Sequence, residues 1–173
     1  MNFKYFNDEV YFSCDEIVRL RCNDLNFLQK RLQDRKLKQI RLCTHMDIED
    51  KIHEMFIVHK KNIYVHPHKH LNKIESFHII EGKADIVLFD DLGNIVNVIK
   101  MGEYLSGNIF YYRLSNPIFH SLIIRSEVVI FHEITNGPLK SEDTIFASWA
   151  PDKNDTKNVK KFMNNLYLSV ENF

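Results

Sequence analysis

The chain has 173 residues, of which 45% are hydrophobic and 27% charged, the make-up of an ordinary globular fold rather than a disordered or fibrous chain. Lys plus Arg and Asp plus Glu both number 23, so the formal net charge is zero. That balance argues against nucleic-acid or other polyanion binding, which rests on excess positive charge, and it permits association between copies.

The first residues, Met1 to Glu9, contain charges and no apolar signal segment, and no stretch approaches the roughly 18 to 20 apolar residues that span a bilayer. Cys14, Cys22 and Cys43 are odd in number and form no CxxC pair. They read as free, buried thiols in a reducing compartment, so a cytoplasmic protein is expected. No Walker loop, GxGxxG or GxSxG is present, which leaves nucleotide hydrolysis, dinucleotide cofactors and serine-hydrolase chemistry without support.

Ser13-Cys14-Asp15-Glu16 has the form of a capping box and predicts a short helix over about 14 to 22, with a second at about 24 to 33. From residue 38 the period changes to two. Strands are expected over 40–44, 55–58, 63–65, 76–80, 84–89, 95–101, 108–112, 119–124 and 128–135, with a hairpin turn at Asp90-Asp91-Leu92-Gly93-Asn94. Many short strands and no central helix point to an all-β barrel or jelly roll. Val159, Phe162, Met163, Leu166 and Val170 then recur at helical spacing, predicting a C-terminal helix that packs on the barrel or on a second subunit. The expected organisation is an N-terminal helical extension (1–37), a β-barrel (38–152) and a helical tail (153–173).

The nine histidines are concentrated in the middle of the chain, where the sequence reads His66-Pro67-His68-Lys69-His70, then Lys73, Glu75 and Gly82. On a strand, His68 and His70 project to one face, where two imidazoles can reach one metal ion. Glu75, after a tight connection, would enter from the neighbouring antiparallel strand. His66 has the same parity and is a candidate ligand, supporting group or rim residue. A histidine-rich surface loop is the bland alternative.

This segment resembles the first motif of the cupins, in which two His and one Glu bind a metal inside a small β-barrel. The second cupin motif contributes one more His from a later strand, and here the resemblance points to His120, with His132 as competitor. Asn62 stands where the first motif has a Gly, and Ser115 and Pro117 where the second has Pro and Gly. A narrower resemblance is to the WbuC-type cupin metalloproteins. It is carried by Arg41-Leu42-Cys43-Thr44-His45, the histidine segment with Lys73 and Glu75, Phe89 to Gly93, Phe131-His132-Glu133, Asn136-Gly137-Pro138 and Phe146 to Pro151, from about residue 38 to 152. Those proteins are associated with bacterial surface-polysaccharide (O-antigen-type) gene clusters, so the resemblance implies a carbohydrate-type small-molecule ligand.

Three imidazoles and one carboxylate leave open positions on a single divalent transition metal, with Fe, Zn, Mn and Ni all compatible. Around this set, Glu133 faces opposite to His132 and is a candidate base, with His45 and His66 as further proton carriers. Arg41, Lys73, Tyr112 and Arg113 are candidate substrate contacts; salt bridging for Arg41 and His45, solvation for Lys73 and core packing for the tyrosine are the plain alternatives. Trp149 reads as structural. The leading expectation is a metal-dependent isomerase or epimerase acting on a sugar or sugar-nucleotide. An Fe(II) oxygenase on a small organic acid and a non-catalytic metal-bearing carbohydrate-binding or regulatory cupin stand beside it. A homodimer is the expected assembly.

Overall fold

The computed structural model describes residues 2–34, 36–138 and 140–173. Its strands are β1 (Phe3–Asn7), β2 (Val10–Ser13), β3 (Gln39–Cys43), β4 (Ile52–Lys60), β5 (His68–His70), β6 (Glu75–Glu81), β7 (Lys83–Phe89), β8 (Ile95–Gly102), β9 (Tyr111–Leu114), β10 (Phe119–Ile124), β11 (Val128–Asn136) and β12 (Thr144–Phe146), with helices α1 (Cys22–Asp34) and α2 (Thr156–Val170). Two sheets pack face to face. One has seven strands in the order β1-β2-β3-β4-β11-β6-β9, the other five in the order β12-β5-β10-β7-β8.

The alternation of residue type sets these layers. Along β4, Met55 and Ile57 point between the sheets, where they join Phe77, Ile79, Leu122, Ile124 and Phe131 in the main core. Val58 points outward instead and, with Ile40, Leu42 and Ile130, packs against Leu28 and Leu32 of α1. On the opposite side, Met163, Leu166 and Val170 of α2 cover Val87, Phe89, Phe119 and Ile123. The layers are therefore helix, sheet, sheet, helix. Each large α2 side chain buried this way stabilises the arrangement by about 1.5–3 kcal/mol. Asp155 caps α2 by accepting from the Asn158 backbone N–H. Trp149 packs on Phe89 and Phe119 under the same helix, a structural position.

The N-terminus departs from expectation. Residues 14–21 form no helix, and Phe3–Ser13 form a β-hairpin whose second strand pairs in parallel with β3. Ser13 Oγ accepts from the Asp15 N–H, and the Asp15 carboxylate accepts from Asn2, so the capping groups close a turn. Phe3 and Tyr11 of the hairpin pack on Phe27 of α1. The second expected helix is present as α1. Cys14 and Cys22 are exposed rather than buried; only Cys43 is buried, and burial pushes its thiol up to about 11. The segment at residues 63–65 is a connection, not a strand. Among the described residues no helix is long and apolar enough to cross a membrane.

Candidate metal centre and its cavity

A cavity of about 660 Å³ lies between the sheets. His68, His70 and Glu75 line it from β5 and the start of β6, and His120 from β10. His120 is the direct cross-strand partner of His68. One ring nitrogen from each of His68, His70 and His120 lies within 4.8 Å of the others, close enough to hold one metal ion.

The rings are oriented from behind. His68 Nδ1 donates to the His66 carbonyl at 2.8 Å, and His120 Nδ1 to the Ile118 carbonyl at 3.0 Å. His70 Nδ1 is 3.0 Å from Thr144 Oγ1 on β12. A carbonyl only accepts, so Nδ1 of His68 and His120 carries a proton and Nε2 of each is the nitrogen directed inward, the orientation a metal ligand requires.

Glu75 is 4% exposed and His120 1%. Glu75 Oε1 comes within 2.9 Å of His120 Nε2, and Oε2 within 3.4 Å of His70 Nε2. Yet Oε1 and His120 Nε2 are both left without a hydrogen-bond partner. A lone pair facing a carboxylate oxygen is unfavourable unless a proton or a cation lies between them. Three imidazoles, one carboxylate and this unsatisfied pair fit a divalent transition metal. Burial works against ionisation of Glu75, but His120 and His70 hold its carboxyl below the usual range. Burial, with the neighbouring His120, pushes the His68 imidazole down to about 4, which keeps it neutral and able to ligate.

Glu133 enters the same cavity from β11. It sits two residues before Thr135, and Thr135 is the cross-strand partner of Glu75. Burial, then the charge of Glu75, pushes the Glu133 carboxyl up to about 7; Arg41, His120 and Lys73 pull against that rise. Lys73 is 8% exposed, lines the cavity and has no carboxylate partner among the described residues. Arg41 also lines the cavity.

His45 reaches the wall, but its Nδ1 is engaged by the Glu54 main chain, 3.1 Å from the carbonyl and 3.2 Å from the N–H, and its ring stacks on His53 at 4.2 Å. His66 lies at the rim, Nε2 donating to the Ala147 carbonyl at 3.1 Å. Tyr112 is buried in the core beside Phe77, and burial, with the charge of Glu75, raises its hydroxyl well above the ordinary value. Arg113 is not brought to the cavity. It follows inward-facing Tyr112 on β9, so strand alternation turns it out to solvent. His132 lies on the outer face, stacked on Phe56 with Nε2 3.8 Å from Glu54. Several wall residues were not found in the sequence, among them His53, Thr144, hidden in a three-residue strand, and His59, whose inward parity with Met55 and Ile57 was the available signal.

A family model described as a domain of unknown function, DUF6016, matches residues 20–101, just under half of the chain. No curated protein matches the sequence. Salicylate 1,2-dioxygenase from Pseudoaminobacter salicylatoxidans superposes with a TM-score of 0.54 at 11% identity, over 75% of this chain and 37% of its own. The fold is a cupin. The cupin domain of Schizosaccharomyces pombe Cnp3 is also similar, with a TM-score of 0.45, 12% identity and coverage of 57% of this chain and 64% of that one. Oxalate decarboxylase from Bacillus subtilis has a TM-score of 0.48 at 17% identity, over 62% and 27%. The chain thus spans about two thirds or less of the length of each, and at such identities the likeness extends to the fold and not to the reaction. The DUF6016 match includes His68, His70 and Glu75 and stops before His120 and Glu133.

Proposed function

We propose that this cupin is a metal-dependent isomerase or epimerase acting on a sugar or sugar-nucleotide, in the surface-polysaccharide setting implied by its resemblance to the WbuC-type proteins. The observation that carries this reading is Glu133: a carboxyl raised to about 7, in the same cavity as the three converging imidazoles. A divalent transition metal held by His68, His70, Glu75 and His120 supplies Lewis-acid polarisation of the ligand's oxygens.

The remaining work falls to the chain. Burial holds the Glu133 carboxyl above the ordinary carboxylate range, which suits a group that accepts a proton and returns it. It takes the proton from the carbon beside a carbonyl and returns it to the neighbouring carbon, or to the opposite face of the same carbon. Lys73 offers a cation for the oxygen that gains charge. His45 and His66 each have one ring nitrogen engaged with the main chain and shape the wall. A homodimer belongs to this reading, supported by β9, an edge strand of the seven-stranded sheet among the described residues.

The test is solvent exchange. With metal-loaded protein in D2O, a panel of aldoses, ketoses, sugar phosphates and nucleotide sugars is followed by NMR. Deuterium entering carbon in the wild type, and not in Glu133→Gln with metal retained, is the expected result. Ligand binding without exchange for any compound would move the assignment to a binding protein. Oxygen uptake with an organic acid would move it to an oxygenase.

A further inference from the structure

The cavity has a second polar region that the metal centre does not use. His59 on β4 is 6% exposed, lines the cavity, and its Nδ1 has no hydrogen-bond partner. Burial, with the charge of Arg41 added, pushes its imidazole down to about 3, so the ring is neutral and has an N–H to offer. Arg41 on β3 faces the same space. Its guanidinium meets no carboxylate among the described residues, and Nη1 lies 4.0 Å from the Met55 sulfur, a weak acceptor. A half-buried guanidinium with five donors, next to a buried imidazole with an unpaired nitrogen, leaves hydrogen-bonding groups unmatched unless something occupies the space between them.

The ladders place the two groups together. Arg41 is opposite Ile57, and His59 is the next inward residue along β4, so they are diagonal neighbours on one face. They also set this region apart from the metal ligands. Glu75 is level with Thr135 and His53, whereas Arg41 is level with Ile57, two inward repeats or about 13 Å further along β4, and its guanidinium leans back toward Met55 and the metal end, with His59 on its far side.

We infer that Arg41 and His59 form an oxyanion subsite of this cavity, taking the phosphate or carboxylate of a ligand whose other oxygens reach the histidine cluster. The arginine supplies the charge and a planar fork, and the imidazole one further donor. The inference rests on the reading above for the ligand's other end, and makes the substrate a sugar phosphate or sugar acid rather than a neutral sugar.

The test titrates inorganic phosphate and, separately, malonate by calorimetry into the wild type, Arg41→Gln and His59→Phe, each as Mn(II)-loaded and as chelator-stripped protein. The expected result is one equivalent bound to stripped wild type, at least tenfold weaker in Arg41→Gln and at least threefold weaker in His59→Phe. Preference for phosphate identifies a phosphorylated ligand, and preference for malonate a carboxylate; either supports the subsite. Absence of binding, or equal binding in all three proteins, overturns it. Should a variant not fold, ring 15N resonances of wild-type histidines decide: His59 shifts on addition of the bound anion, and a static His59 signal overturns the subsite. The two readings fail separately. Loss of Mn(II) with Arg41-dependent anion binding sinks the metal centre alone; retained Mn(II) without Arg41-dependent binding sinks the subsite alone.

Discussion

His120 stands directly opposite His68 in the ladder between β10 and β5, with ring centroids 4.5 Å apart. That single pairing brings together two imidazoles, about fifty positions apart in the chain, that could hold one metal ion with His70. The metal affinity therefore depends on His120 and on the groups that aim the rings. His120→Ala is expected to lose at least the ~10–100-fold in affinity that removal of an outer partner costs. Thr144→Val, which removes only the group against His70 Nδ1, is expected within that range. Elemental analysis after dialysis checks both. So does the stabilisation by added metal, which at a hundredfold excess over Kd is about 2.7 kcal/mol in the wild type.

Glu133 gives a pH dependence of definite sign. Its folded pKa, about 7, lies above that of a free glutamate, so the folded state holds a proton that the unfolded chain has released. The favourable term is fully present below the free value and is lost as pH rises through 7. Glu133→Gln is therefore expected to melt higher than the wild type at pH 8, with the gap closing by pH 4. In activity the sign reverses: a base must be ionised, so exchange in the wild type falls as pH drops through 7. Glu133→Gln is expected to lose about 10²–10⁴-fold at all pH values while retaining metal.

His59 shifts the other way. Its imidazole titrates near 6.5 when unfolded and about 3 when buried, so between those values the unfolded chain binds the extra proton. Stability falls as pH drops below 6.5, by up to about 1.4 kcal/mol per pH unit for this one site. Denaturant titrations of His59→Phe from pH 7 to pH 4 are expected to show a shallower slope by one proton. An unchanged slope would assign the acid sensitivity to other buried histidines, His68 among them.

The site was legible to the extent that it obeys local rules. His68 and His70 follow the period of two, and Glu75 and the inward parity of Glu133 follow from the same alternation. Asn62 occupies the resemblance's glycine position with φ of 64°, a conformation asparagine tolerates, so that departure cost nothing. Arg113 and Tyr112 are adjacent candidates for substrate contact, but only alternate strand residues share a face, so β9 can turn one of them inward and not both. His59 escaped because β4 is buried on both faces: Val58 against α1 and Ile57 in the cavity make an unbroken apolar run in which parity is hard to see. The N-terminal hairpin depends on aromatic contacts across 3–27, which no local pattern announces.

Gly82 tests the frame that carries Glu75. It joins β6 to β7 at φ of 85°, and a Cβ there would run into the Val128 carbonyl and the Ser126 hydroxyl. Those atoms cannot retreat cheaply. Ser126 Oγ accepts from the Lys83 N–H at 2.9 Å, and the Lys83 carbonyl accepts from the Arg125 N–H, so the turn is tied into the β10–β11 connection. Left-handed backbone alone costs an alanine about 1–3 kcal/mol, and the clash adds to it. Gly82→Ala is therefore expected to lower Tm by about 2–12 °C from the backbone alone, and further with the clash, on the ~2–4 °C per kcal/mol of a chain this size. Gly82→Asn relieves the φ penalty but not the clash, so its Tm is expected between those of Gly82→Ala and the wild type; if both variants melt like the wild type, the close approach of β6–β7 to Val128 is not what holds this end of the barrel.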